Sequence, residues 1–334
     1  MPNLTHPLAQ QPVLVTGADG FIGSHLAEAL AQVGAKVRAF CLYNSQGSKG
    51  WLDHTPPKLL ARMEIHHGDI RDARGVESAM EGMKYVFHLA ALISIPYSYQ
   101  APSSYIQTNV VGTLNMLEAA RRHPVHRFIQ TSTSEVYGTP HQVPIRETHP
   151  LQAQSPYAAS KIAADQLALS YFHSFNVPVV VLRPFNTYGP RQSTRAILST
   201  MLVQLLNGRT EIELGRLSPR RDLTYVSDTV AGFLQAAVAE DVAGQTVQLG
   251  TGQSISMGEL FERCCQTLGI SATVKEDARR LRPSSSEVWE LLSDPSLAAQ
   301  RLGWQPQVSL QDGIVQTADW IKQHLHRFPH EFHV

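Results

Sequence analysis

Short β-branched runs alternate with amphipathic stretches through the first half of the chain. The runs are Val13 to Thr16, Lys36 to Leu42, Met63 to His66 and Tyr85 to Leu89, with a helical pattern from Gly20 to Val33 between the first two. That alternation predicts βαβ units around a parallel sheet. Further strands are predicted at Arg127 to Thr131, Val177 to Arg183 and Thr246 to Leu249, and helices at Ile106 to Arg122, Pro156 to Phe175 and Asp228 to Ala239. After about Pro184 the pattern loosens into longer loops broken by Pro219, Pro283, Pro295 and Pro306, and it closes on a helical stretch from Leu310 to Leu325. There is no internal repeat. The expected fold is α/β, a doubly wound parallel sheet with a smaller C-terminal domain. The chain is expected to enter that second domain, return for one more βα unit near Leu223 to Leu249, and enter it again. This divides it into residues 1–184 with 223–250 and residues 185–222 with 251–334.

Composition narrows the function classes. With 334 residues, 43% of them hydrophobic and 17% charged, the chain can bury a sizeable core, which excludes disordered and collagen-like readings. Lys and Arg balance Asp and Glu at 28 each, so no basic field exists to hold a polyanion and nucleic acid is not an expected partner. The cysteines, Cys41, Cys264 and Cys265, match neither a disulfide framework nor a zinc spacing, which suits a reducing compartment. The opening MPNLTHPLAQQ lacks a cationic segment followed by an apolar one, and no apolar run approaches the ~18 residues that span a bilayer. A cytoplasmic protein without membrane association is expected. The 15 histidines are scattered, with no HExxH and no paired CxxC, so no metal is expected.

Directly after the first strand comes Gly17-Ala-Asp-Gly20-Phe-Ile-Gly23, opening a helix. The first glycine permits the tight turn, the second lets backbone N–H groups approach a pyrophosphate, and the third allows close packing of helix on strand. The place of this triplet at the first βα turn points to a dinucleotide. An acid that would hold the adenosine ribose is expected at the end of the second strand, yet Lys36 to Leu52 contains no Asp or Glu. Arg38, Asn44, Ser45 and Lys49 are candidates to meet a 2′-phosphate instead, with Arg38 equally readable as a solvated strand residue. The candidate cofactor contacts are Gly17, Asp19, Gly20, Phe21, Ile22 and Gly23, then Asp69 and Ile70 after the third strand, where a short acceptor suits an adenine edge, and Leu89, Ala90 and Ala91 after the fourth.

Tyr157-Ala-Ala-Ser-Lys161 lies on a predicted helix, where the i, i+4 spacing puts both side chains on one face. An ammonium beside a phenol favours phenolate and is expected to lower the Tyr157 pKa toward the range of a general base. Thr131-Ser-Thr-Ser-Glu-Val-Tyr-Gly138 follows a short apolar strand, so Thr133, Ser134 and Glu135 are placed at the carboxyl end of the sheet. They offer a hydroxyl donor, a relay and a second base, or equally a helix cap. Asn186, Arg191, Arg221 and Arg282 lie in later loops, where arginines can grip a diphosphate in bidentate fashion or simply face solvent.

Taken in order, these stretches resemble the extended short-chain dehydrogenase/reductases that act on nucleotide sugars, the NAD-dependent epimerase/dehydratase group. The resemblance runs from about Val13 to Leu325. Thr133-Ser134-Glu135 looks like the triplet of GDP-mannose 4,6-dehydratase, where dTDP-glucose 4,6-dehydratases usually carry Thr-Asp-Glu. The stretches 90–99 and 183–192 look like the 4,6-dehydratases of the legionaminic-acid type. The resemblance implies a Rossmann-like domain, a smaller nucleotide-sugar-binding domain, a bound NAD or NADP with a lean to NAD, and a homodimer joined through the helices at 106–122 and 156–175. It implies that Tyr157 takes the proton of the sugar 4-hydroxyl, that Lys161 holds the ribose and keeps Tyr157 acidic, and that Thr133 serves O4. Glu135 would remove the C5 proton and, with Ser134, help protonate the departing 6-hydroxyl. Asn109 would support the Tyr157/Lys161 pair, and Asn186, Arg191, Arg221 and Arg282 would hold the diphosphate or its ribose.

Ser134 departs from the dTDP-glucose pattern, since a hydroxyl cannot serve as the carboxylic acid of the elimination. The expected activity is conversion of an NDP-hexose, with a lean to an N-acetylhexosamine nucleotide, into its 4-keto-6-deoxy form. UDP-glucuronate decarboxylase and NDP-sugar 4-epimerase are alternatives, and a non-catalytic dinucleotide sensor is an alternative of another class.

Overall fold

The computed structural model describes residues 5–328. Its strands are β1 (Pro12–Thr16), β2 (Lys36–Leu42), β3 (Met63–Gly68), β4 (Tyr85–His88), β5 (Arg127–Thr131), β6 (Val179–Pro184) and β7 (Asn186–Tyr188). They continue with β8 (Glu211–Leu214), β9 (Arg220–Tyr225), β10 (Thr246–Leu249), β11 (Ser254–Ser256), β12 (Thr273–Glu276) and β13 (Glu290–Leu291). Seven of them form one sheet in the order β10-β6-β5-β4-β1-β2-β3, every pair parallel.

Side-chain alternation divides this sheet between two cores. Val13 and Val15 of β1 pack with Leu26 and Leu30 of the helix Phe21–Gln32 and with Phe233 of the helix Val226–Val238. Leu14, between them, joins the opposite core with Val76, Met116 and Ala168 from the helices Ala73–Met80, Gly112–Arg122 and Pro156–Phe175. Helices on both faces explain why β6 is buried along its whole length and reads as an unbroken apolar run up to Arg183. The fold is the expected Rossmann-like doubly wound sheet.

Outside it, β9 pairs with β7, β11 and β13 in a four-stranded sheet, and β8 pairs with β12. Leu223 to Tyr225 therefore sits in the small sheet rather than opening a βα unit of the large one. Only the helix Val226–Val238 and β10 return. A second difference concerns the stretch 106–122, which is not one continuous helix: Ile106–Val111 is a π-turn and the α-helix begins at Gly112. Widened turns of this kind recur at functional sites. Here the turn carries Asn109 inward, where Nδ2 donates to Leu92 O and Ser160 Oγ at 2.9 Å each, and Oδ1 accepts from Leu92 N at 2.8 Å.

His88, at the end of β4, is fully enclosed, with Nδ1 2.8 Å from Thr16 Oγ1 and Nε2 3.1 Å from Thr113 Oγ1. Burial, with a smaller push from Lys161, lowers its pKa from 6.5 to about 3. The folded chain thus keeps the ring neutral while the unfolded chain takes a proton as pH falls through 6.5, so this group weakens the fold progressively from there down to about 3. At about 1.4 kcal/mol per pH unit, the group is expected to contribute roughly 2 kcal/mol of stability loss between pH 6.5 and 5. Urea titrations of wild type and His88→Gln at both pH values check this: the variant, less stable at neutral pH, is expected to show a shallower decline by about that amount. Equal declines would show that His88 does not carry it.

Candidate active site

The strand order reverses between β1 and β4, the position where open α/β sheets bind ligands at their carboxyl ends. The loops after these strands touch there. Gly17 has φ +68°, and a Cβ on it would stand 2.9 Å from Ala90 Cα. A Cβ on Gly23 would stand 2.0 Å from Gly17 O, so the helix Phe21–Gln32 approaches its own loop as closely as backbone allows. Gly20 caps that helix with no side-chain hydrogen bond and no acid in the first turn, and a Cβ there would meet only Gly17 O, at 3.2 Å. The first-turn N–H groups near Phe21 and Ile22 therefore have no side-chain cap, in a cradle that a side chain would fill. That is what a pyrophosphate requires. Leu89 N and Ala90 N both donate to Thr16 Oγ1 at 3.2 Å, which fixes the floor leading to Ala91.

The adenosine end is more committed. Asp69 accepts from Arg71 N at 2.9 Å and Arg71 Nε at 3.0 Å, and the guanidinium hydrogen bonds hold its carboxyl below the usual range. An adenine edge would have to share that carboxylate with Arg71. Ile70 is buried under Gly112. The candidates for a 2′-phosphate are engaged elsewhere: Arg38 donates to Ala79 O at 2.9 Å and Glu81 O at 3.0 Å and pairs with Glu64 at 3.0 Å. Lys49 pairs with Asp53 at 3.2 Å, and Asn44 closes a turn on Ser48 beside exposed Ser45.

At the carboxyl end of β5 come Thr131 and then Thr133, whose Oγ1 accepts from Glu135 N at 3.3 Å as the cap of a short 3-10 turn, Ser134–Tyr137. Ser155 caps the helix Pro156–Phe175 through Ala158 N at 3.1 Å, so Tyr157 stands in its first turn, edge-on to Tyr105 at 6.2 Å between centroids. One turn on, Lys161 Nζ donates to Thr131 O at 2.5 Å. Tyr157, Thr133, Ser134, Glu135 and Lys161 are thus brought together at the carboxyl end of β5, and all except Thr133 are buried.

The electrostatics differ from the expectation that Lys161 depresses the Tyr157 pKa. Burial pushes the Tyr157 hydroxyl well up, Thr133 beside it works the other way, and the Glu135 charge adds to the rise. Burial also lowers Lys161 to about 8, against a rise from Asp165. The reason is solvation: enclosing both groups costs each its charged form, and Lys161 donates its hydrogen bond to the Thr131 carbonyl.

The predicted diphosphate residues separate into two places. Arg221 donates to Val288 O at 2.8 Å and pairs with Glu287 at 3.6 Å. Arg282 lies 3.9 Å from the same Glu287 and 3.4 Å from Glu135 Oε2. Burial opposes the charge on Arg282, but Glu135 and Glu287 outweigh it. Arg191, in contrast, turns to the helix Phe21–Gln32, donating to Ser24 Oγ at 3.1 Å and Glu28 Oε1 at 2.8 Å. Arg191 thus lies beside the glycine loop, apart from Arg221 and Arg282. Asn186 Oδ1 is buried without a hydrogen-bond partner. Among the described residues, no cluster of three or more His, Cys, Asp or Glu side chains could hold a metal, and no helix is long and apolar enough to cross a membrane.

The model of the GDP-mannose 4,6 dehydratase family matches residues 14–317. The chain belongs to this family. A dTDP-glucose 4,6-dehydratase of Actinoplanes sp. is 34% identical over 93% of this chain and 97% of its own length. Among solved structures, the dTDP-glucose 4,6-dehydratase DesIV of Streptomyces venezuelae, with NAD bound, superposes with a TM-score of 0.86 at 29% identity, over 95% of this chain and 99% of that one. The UDP-glucuronic acid 4-epimerase of Bacillus cereus, in complex with UDP-glucuronic acid and NAD, gives 0.86 at 28% identity, over 94% and 100%. As a member of the GDP-mannose 4,6 dehydratase family, the chain is an enzyme of the NAD-dependent dehydratase/epimerase type.

Two residues at this site escape a reading of motifs. Glu287 sits between the two arginines, and nothing in its local sequence marks it. Asp165 lies beneath Lys161 and takes hydrogen bonds from Ser132 Oγ at 2.5 Å and Arg183 at 2.9 Å, both partners of that ion pair being almost fully buried. Its signal was available, since Tyr157, Lys161 and Asp165 repeat at i, i+4 along one helix face.

Proposed function

We propose that the chain is an NAD-dependent nucleotide-sugar 4,6-dehydratase that converts an NDP-hexose into its 4-keto-6-deoxy form. The observation that carries this reading is Glu135. Its side chain is 11% exposed, shares a turn with Thr133, and lies close enough to Tyr157 for its charge to raise that pKa. Oxidation at C4 needs one base. A second carboxylate beside the first base suits removal of a second proton, at C5.

The glycine loop, Leu89 to Ala91, Tyr157 and Lys161 would hold the dinucleotide. When bound, it supplies hydride acceptance from sugar C4 and return to C6, so no outside oxidant is consumed. Tyr157 takes the 4-hydroxyl proton and Thr133 donates to O4. The 4-ketone so formed acidifies C5–H, Glu135 removes that proton, and Glu135 with Ser134 returns one to the departing 6-hydroxyl, which leaves as water; as hydride returns to C6 a solvent proton is delivered to C5, balanced by the one Tyr157 releases. Arg221 and Arg282 receive the diphosphate, with Asn186 beside them. A homodimer through the helices at 106–122 and 156–175 fits the exposure of Ile106, Leu114 and Phe175 on those elements. Cys41 and Cys264 are buried free thiols, in keeping with a cytoplasmic setting.

Mass spectrometry after incubation with GDP-, UDP-, dTDP- and CDP-hexoses, their N-acetylhexosamine forms and UDP-glucuronate tests the reading. Loss of one water from a single nucleotide sugar is the expected result. Loss of carbon dioxide from UDP-glucuronate would make the protein a decarboxylase, and an isomer of unchanged mass an epimerase. No turnover with cofactor bound would favour a sensor.

A further inference from the structure

The acid that would accept from the adenosine ribose is missing from the end of β2, and the structure supplies a carboxylate there from a different element. Asp19, in the third position of the glycine loop, reaches across so that its Oδ2 accepts from Leu42 N, the last residue of β2, at 3.3 Å. The segment after β2 holds it in place. Trp51 N donates to Asp19 O at 3.0 Å, and Gly50 comes so near that a Cβ on it would stand 2.4 Å from the same oxygen. The first acid that β2 leads to in sequence, Asp53, is used up locally by Ser48 Oγ at 2.8 Å, Lys49 N at 3.0 Å and Lys49 Nζ at 3.2 Å. The cations nearest in sequence, Arg38 and Lys49, are committed to Glu64 and Asp53.

We propose that Asp19 is the residue that sets cofactor preference, its carboxylate accepting from the ribose 2′-hydroxyl of NAD and repelling the 2′-phosphate of NADP. This rests on the dinucleotide-binding part of the function proposed above. A charged acceptor on a hydroxyl is a strong hydrogen bond, and a phosphate brought to the same carboxylate meets a like charge, with Arg38 and Lys49 already paired to Glu64 and Asp53. The glycine loop thereby performs two tasks, pyrophosphate binding through its backbone and ribose selection through one side chain.

Titration of cofactor-free protein with NAD+ and with NADP+, followed by calorimetry, reads this without any need for turnover. Wild type is expected to bind NAD+ more tightly by about 30-fold or more. Asp19→Asn keeps an acceptor for Leu42 N–H but loses the charge, and is expected to bind NAD+ about 10-fold more weakly while the ratio of the two affinities falls toward one. Asp19→Glu retains the charge and is expected to keep rejecting NADP+ even where its longer stem weakens NAD+. Asp53→Asn, by contrast, is expected to leave the ratio unchanged. An unchanged ratio in Asp19→Asn, or a wild type that favours NADP+, overturns the assignment while leaving a dinucleotide enzyme. Failure of wild type to bind either dinucleotide overturns the assignment and the function it rests on together.

Discussion

Tyr157→Phe is expected to lower turnover about a thousandfold while weakening NAD+ binding far less, because it deletes the base but only one of several groups that would hold the dinucleotide. The ring of Tyr157 is 7% exposed and packs against Tyr105, and phenylalanine retains that packing. What is lost is the oxygen that takes the sugar proton, worth roughly 4 kcal/mol of barrier at a thousandfold. The electrostatics sharpen the argument. Burial drives this hydroxyl toward its protonated form, and Lys161, brought down to about 8, is directed at Thr131 O. The chain's own groups around Tyr157 therefore favour the neutral phenol, and a phenolate needs a positive charge nearby such as an oxidised nicotinamide would carry. The matching observation is that the pH dependence of kcat/KM in the loaded enzyme should show its rising limb well below the ordinary phenol range of about 10. A Phe variant that kept more than about a tenth of wild-type turnover would remove Tyr157 from the chemistry.

Local pattern and solvation divide what is legible in this sequence from what is not. β2, β5, β10 and the helix Pro156–Phe175 have the ends that hydrophobic runs and caps predict. A sheet covered on both faces needs apolar residues through the middle of its strands, as Phe128-Ile129 in β5 and Ala39-Phe40-Cys41 in β2 supply, and Ser155 followed by Pro156 is a strong helix start. The π-turn at Ile106–Val111 has no such mark, since one extra residue in a turn leaves the apolar periodicity almost intact. Glu287 is invisible because its significance is a meeting with Arg221 and Arg282 made only when β9 and the segment before β13 come together. The Tyr157–Lys161 spacing shows which face the two share, but not that burial outweighs their mutual influence. That balance depends on how much protein surrounds them, which no spacing encodes. Arg191 shows the same limit from the other side: its motif suggests an anion, and no local pattern shows that it also bonds Ser24 and Glu28 on a distant stretch of chain.

Glu135→Gln is expected to separate the two halves of the reaction. Glutamine keeps the shape of the side chain and the backbone contact with Thr133, and Arg282 retains Glu287 as a partner at 3.9 Å, so the charged corner need not collapse. Tyr157 and Thr133 are untouched, and removal of the Glu135 charge eases one of the effects that raise the Tyr157 pKa. Oxidation at C4 should therefore persist, visible in a single turnover as the near-ultraviolet absorbance of reduced nicotinamide. Abstraction of the C5 proton, which needs a carboxylate, should fall about a thousandfold and take net loss of water with it. Carried out in deuterium oxide, the wild-type reaction places deuterium at C5 of the product, whereas sugar recovered from the variant should carry none. A 4-epimerase makes the opposite demand, for it never breaks the C5–H bond, and its turnover would fall less than about tenfold on losing Glu135. Unimpaired dehydration by the variant would instead move the second base to another group. The assignment of Glu135, and with it the choice between a dehydratase and an epimerase on one shared scaffold, rests on whether a proton leaves C5.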